Sequence, residues 1–109
     1  MCAKLELLVE DSKNQAKHAL DGALNLVQHD CVSFIGAWAS GPTMKVSTFL
    51  SIPSINRAII GPSQTSPQLS ESRFSNFLRT PPSDDVAANH MAELMKGVCV
   101  CLLLFTDMC

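Results

Sequence analysis

Apolar positions fall in short blocks along this chain, and the period changes from block to block. Residues 4–10 (KLELLVE) place apolar side chains on both faces of an extended segment, which Asp11 and Ser12 end. Residues 14–28 switch to helical spacing, with Ala16, Leu20, Ala23, Leu24 and Val27 on one predicted face. Residues 31–35 (CVSFI) predict a second apolar strand, stopped by Gly36. A short helix over 43–50 follows, opened by Pro42. Residues 54–60 predict a third extended segment after Pro53, and residues 61–72, dense in Ser, Pro and Gly, predict a loop. Residues 74–78 are too short and mixed to assign. Ser83 predicts an N-cap, with Asp84 and Asp85 in the first turn, where the helix dipole favours acids. That helix is expected to run to about Lys96, with Ala87, Met91, Leu94 and Met95 inward and Gly97 ending it. Residues 98–106 (VCVCLLLFT) predict a last, fully buried strand.

Strands alternating with helices predict an α/β fold, a doubly wound parallel sheet with flanking helices. Strands that are apolar without alternation suit a sheet covered on both faces. In such folds ligands sit beyond the carboxyl ends of the strands. Two loops qualify, residues 36–42 after the second strand and 61–69 after the third.

At 109 residues the chain is at most one small domain, and the core it can bury is modest. Hydrophobic residues at 47% against 17% charged exclude a disordered chain. A net charge of −2 and the lack of a basic run give no reason to expect nucleic acid or anionic lipid. Cys2, Cys31, Cys99, Cys101 and Cys109 form no CxxC pair and no zinc-ribbon spacing, so free or buried thiols are expected. The charged start MCAKLELLVEDSK is not a signal peptide. The apolar run 98–105 is far short of the roughly 20 residues of a membrane helix. Alone, the sequence reads as neither exported nor membrane-spanning.

Candidate chemistry is sparse. Gly36-x-x-x-x-Gly41-Pro42-Thr43 approximates a phosphate-binding loop, but Pro42 stands where the lysine belongs. Such a loop can still offer backbone N–H groups and the Ser40 hydroxyl to an anion, and a plain strand-to-helix turn has the same composition. Ser63-Gln64-Thr65-Ser66 sets several hydroxyls beside a strand end, as a carboxylate site or an ordinary turn would. Asp84 and Asp85 can meet an ammonium or merely serve the helix start, and Arg79 can meet an anion or a structural partner. His18, His29 and His90 stand alone, and neither GxSxG nor HExxH occurs. No catalytic residue, metal ligand or cofactor is predicted, and an enzyme is not expected.

Four stretches resemble the extracellular ligand-binding region of class C G-protein-coupled receptors, the metabotropic glutamate-receptor type. Residues 4–26 are similar to the family's strand-then-helix "EL-x-x-x-D…A-L". Val32 to Gly36 followed by Ser40 resembles "xxxIG-P-x-x-S-S", and SIPSI at 51–55 resembles "x-IP-x-I". Most specific is TSPQLSESRFSNFLRTPPSDD at 65–85, similar to "TSP-x-LSD…Y-x-x-FLRT-x-PSD". The resemblance covers almost the whole chain, whereas the family's domain is several times longer.

The resemblance implies a fragment of lobe one of a Venus-flytrap domain, a periplasmic-binding-protein-like type I fold, with residues 1–109 as one partial domain. It implies that Ser40, Ser63 and Thr65 bind the carboxylate of an amino-acid-like ligand and that Asp84 binds its ammonium. Hydroxyl donors facing the anion and a carboxylate facing the cation satisfy that chemistry. It further implies a cell-surface, extracellular location and a homodimeric parent coupled to a G protein. Departures are visible. Ala37 replaces the family's Pro, Ser40-Gly41 replaces Ser-Ser, and nine residues (NRAIIGPSQ) separate Ile55 from Thr65. Ser12 or Lys13 stands where a Cys is often found. The resemblance further implies that both ends of the family domain are missing, and a sheet cut at both ends is expected to have uncovered apolar faces and poor autonomous stability. The alternatives are a guanylyl-cyclase or natriuretic-type receptor region, a solute-binding protein, and a small soluble α/β protein with redox-active thiols and no ligand.

Overall fold

The structure, a computed structural model, describes residues 4–97. Three strands, β1 (Ser33–Ile35), β2 (Ala58–Gly61) and β3 (Phe77–Arg79), form one parallel sheet in the order β1-β2-β3. Helix α1 (Ala16–Gln28) precedes β1, α2 (Ser40–Leu50) links β1 to β2, and α3 (Asp84–Gly97) follows β3. The α/β class and the parallel sheet with flanking helices are as expected from the sequence.

Register sorts the strand residues onto two faces. Phe34, Ile59 and Phe77 pair across the sheet and are buried beneath α1 and α2. Ala19, Ala23, Val46 and Leu50 close this core from the helix side, and Leu69 and Phe74 close it from the β2–β3 connection. Thr43 and Ser47 are also fully buried on α2, and each is satisfied. Thr43 Oγ1 donates to the Ala37 and Ala39 carbonyls, and Ser47 Oγ donates to Asn76 Oδ1 at 2.7 Å. Ile35, Ile60 and Leu78 pair in the adjoining row, point the other way and remain exposed. Among the described residues the sheet is therefore covered on one face only, where the sequence pattern predicts two.

Residues 4–10 are not a strand, against expectation. Leu5 and Val9 are exposed, and the Glu10 side chain lies over Gly22 of α1 and accepts from Asn25. A strand apolar on both sides needs two covered faces, and the sheet offers one. Local polar chemistry also turns the chain: Asp11 accepts from the Lys13 N–H at 2.8 Å, and Lys13 and Asn14 take positive φ. That turn delays α1 to Ala16, two residues after its predicted start. The buried stripe of α1 is Ala19, Gly22 and Ala23, while Leu24, expected inward, is exposed.

Helix α2 begins three residues before its predicted start, since Pro42 sits in a first turn whose N–H groups lack intrahelical partners in any case. The predicted strand at 54–60 shortens because residues 51–55 form turns, closed by Ile55 N–H to Ile52 O and followed by Asn56 at φ 45°. The loop at 61–72 contains a 3₁₀ turn, Pro67–Ser70, and a second one follows at Ser72–Phe74. The unassigned segment at 74–78 resolves into the end of that turn and the start of β3. On α3 the residues expected inward are exposed, Met91 and Leu94 most of all. The predicted strand 98–106 lies outside the described residues.

Candidate functional site

A parallel sheet delivers the carboxyl ends of its strands to one edge, and three loops meet there. The first runs from Gly36 to Ala39, the second from Pro62 to Ser66, and the third from Thr80 to Ser83. Gln64 joins the first two. Its side chain is fully buried, with Nε2 donating to the Ala37 carbonyl and Oε1 accepting from the Ser63 N–H at 3.1 Å. A parallel link runs from Ser63 Oγ to the Trp38 carbonyl at 2.7 Å. The second loop is joined to the third by Thr80 N–H to Gly61 O at 3.2 Å and by Asp84 N–H to Thr65 O at 2.9 Å.

Gly61 permits this junction. A Cβ on it would stand 2.6 and 2.7 Å from the Phe77 ring and closer still to Gln64 Oε1. Gly61→Ala is expected to destabilise the chain by about 1–3 kcal/mol through overpacking. A fall in the thermal unfolding midpoint measures it, and an unchanged midpoint would show that Gln64 and Phe77 relax freely.

The four residues implicated by sequence all lie at this edge. Ser63, Thr65 and Asp84 form a connected group, because Asp84 is bonded through its N–H to Thr65 and Ser63 is two residues away on the same loop. Ser40 is the first residue of α2, reached from Ser63 through Trp38 and Ala39. Their freedom differs. Ser63 spends its hydroxyl proton on Trp38 and its N–H on Gln64, so neither donor is available to a carboxylate in this arrangement. Ser40 and Thr65 are half-buried, and their hydroxyls make no hydrogen bond among the described residues. The Asp84 carboxylate is exposed and in no ion pair among them.

Other candidates resolve into structural roles. Arg79 donates to the Ser66 carbonyl at 2.9 Å and to Ser70 Oγ, stitching the second loop to β3. Thr43, the hydroxyl of the phosphate-loop-like sequence, faces inward onto two carbonyls. Ser83 holds the N-cap position by its carbonyl, which accepts from Val86 N–H at 3.0 Å, while its buried hydroxyl makes no bond. His29 Nδ1 lies 2.8 Å from the Asn25 carbonyl, and no group of metal-ligating side chains gathers among the described residues. A cavity of about 100 Å³ opens between α1 and β1, lined by Glu10, His18, Ala23 and Phe34 and, from the first loop, by Gly36 and Ala37.

Sequence reasoning passed over Trp38 and the bracing role of Gln64. The signal for Trp38 was its rarity, one bulky aromatic set between Ala37 and Ala39 at a strand end. Gln64 carried none, since a buried amide in a serine-rich turn has the same composition as an exposed one.

A model of the family described as the receptor family ligand-binding region matches residues 2–98 of this chain. No curated protein matches the sequence.

Proposed function

The chain belongs to the receptor family ligand-binding region, and from that premise we propose that it is part of lobe one of a Venus-flytrap receptor domain binding an amino-acid-like ligand. The observation that carries this reading is the Thr65–Asp84 junction. One backbone hydrogen bond of 2.9 Å, from Asp84 N–H to the Thr65 carbonyl, joins a residue with a half-buried hydroxyl to one with an exposed carboxylate at the carboxyl-end edge of the parallel sheet. An α-amino acid carries a carboxylate and an ammonium on one carbon, and adjoining residues that bear a hydroxyl donor and an acid suit that pair. The hydroxyls of Thr65 and Ser40 take the anion, and Asp84 takes the cation. Ser63 serves as a brace that holds the first loop, and joins the anion site only if it releases Trp38.

The uncovered row Ile35, Ile60 and Leu78 supports the partial-lobe reading, since such a row is buried when a sheet is covered on both faces. One lobe supplies one wall of a cleft, and closure of a second lobe over the ligand would supply the rest and shift the receptor between states. The parent in this reading is a homodimeric cell-surface receptor, ligand side outward, signalling through a G protein. Among the described residues no helix is long and apolar enough to cross a membrane.

Calorimetric titration with glutamate and other amino acids tests the reading. Asp84→Ala is expected to weaken binding by about 10–100-fold, the loss of one charge-assisted hydrogen bond. Heat that is unaffected by Asp84→Ala would remove Asp84 from the site. No heat with any amino acid, but heat with a peptide hormone, would favour a natriuretic-type receptor region.

A further inference from the structure

Trp38 is 78% exposed, yet the backbone around it is fixed from several sides. The Ala37 carbonyl accepts from both Gln64 and Thr43, the Trp38 carbonyl from Ser63, and the Ala39 carbonyl from Thr43. An incidental surface aromatic needs no such scaffolding. The other exposed apolar strand residues, Ile35, Ile60 and Leu78, lie on the open sheet face. Trp38 lies beyond the end of β1, at the edge that carries Thr65 and Asp84.

We propose that the Trp38 indole is a stacking surface for the planar side group of an aromatic amino acid whose head group is held at Thr65 and Asp84. This rests on the amino-acid reading above and adds the class of side chain. An indole has two rotatable side-chain bonds, so holding its backbone removes most of the ordering cost of presenting it. Aromatic rings stack in offset or edge-to-face geometry with a gain beyond area burial. Ser63 donates to the carbonyl of the residue that would stack, so the loop carrying the head-group ligands also sets the position of the platform.

The chain has one tryptophan and no tyrosine, so its intrinsic emission reports Trp38 alone. Titration of the whole chain with phenylalanine, alanine, glutamate and arginine, read by calorimetry and by emission, tests the proposal. Phenylalanine is expected to bind about tenfold more tightly than alanine and to protect the indole from a soluble quencher. Trp38→Ala abolishes the preference and leaves alanine binding as it was, whereas Trp38→Phe retains most of it. Circular dichroism confirms that both variants keep the fold, as expected for an exposed position. Equal affinity for phenylalanine and alanine, tighter binding of arginine, or a preference that survives Trp38→Ala overturns the stacking role and leaves the amino-acid reading standing. Absence of heat with all four overturns both.

Discussion

Ile59→Ala is expected to cost about 2–5 kcal/mol of unfolding free energy, while Ile60→Ala, one residue along the same strand, costs about 0.5 kcal/mol or less. Both are isoleucines on the central strand, and register separates them. Ile59 is fully buried between Phe34 and Phe77, beneath two helices. Ile60 is 38% exposed on the face that no helix covers among the described residues. Removing Ile59 leaves a cavity at the centre of a small core, and α1 and α2 cannot both move in to fill it. A domain of this size has roughly 5–15 kcal/mol to lose, so the Ile59 variant forfeits a large share of its stability and is expected to unfold at a clearly lower urea concentration. Urea titration followed by far-ultraviolet circular dichroism measures both variants. Equal losses at the two positions would mean that the open face is covered in solution.

The same register explains which parts of the fold were legible in the sequence. Period and turn residues marked α1, β1, α2, β2 and α3, because Gly36, Pro42, Gly61 and Ser83 punctuate the chain where the backbone changes direction. The strand expected at 4–10 failed on a tertiary condition. Its side chains ask for cover on both faces, and among the described residues only the face toward α1 and α2 provides it. The inward face assigned to α3 failed for a related reason, since Met91 and Leu94 have periodicity but no described partner. Hydrophobic spacing reports that a surface can be buried, and says nothing about whether the burying surface is present.

For the candidate site, composition offered the hydroxyls and the acid without deciding between a ligand and an ordinary turn, and it could not distribute their hydrogen bonds. Ser63 and Thr65 look alike in sequence. In the structure one is committed to Trp38 and the other keeps its hydroxyl free among the described residues.

Gln64→Glu is expected to give a pH-dependent loss of stability, largest at neutral pH. Gln64 uses one donor and one acceptor, to the Ala37 carbonyl and from the Ser63 N–H. A protonated carboxyl offers the same pair in nearly the same shape, whereas a carboxylate offers no donor and puts a charge against the Ala37 carbonyl. Burial therefore raises the folded-state pKa of the introduced group above its unfolded value of about 4.3. A raised folded-state pKa means near wild-type stability below about pH 4, with loss as pH rises toward and through the folded value. A shift of about 3 units costs about 4 kcal/mol at pH 7. Gln64→Met removes both bonds without adding charge, and its smaller loss should not vary with pH relative to wild type. Chemical denaturation of the three proteins between pH 4 and 7 separates these effects. Trp38 emission anisotropy reports the site itself, and it should fall for Gln64→Glu as pH rises, because the first loop then loses one of its two ties to the second and keeps only the Ser63–Trp38 bond. Wild-type stability of Gln64→Glu at pH 7 would mean that the side chain reaches water, and the two loops would then owe their alignment to the Ser63–Trp38 bond alone.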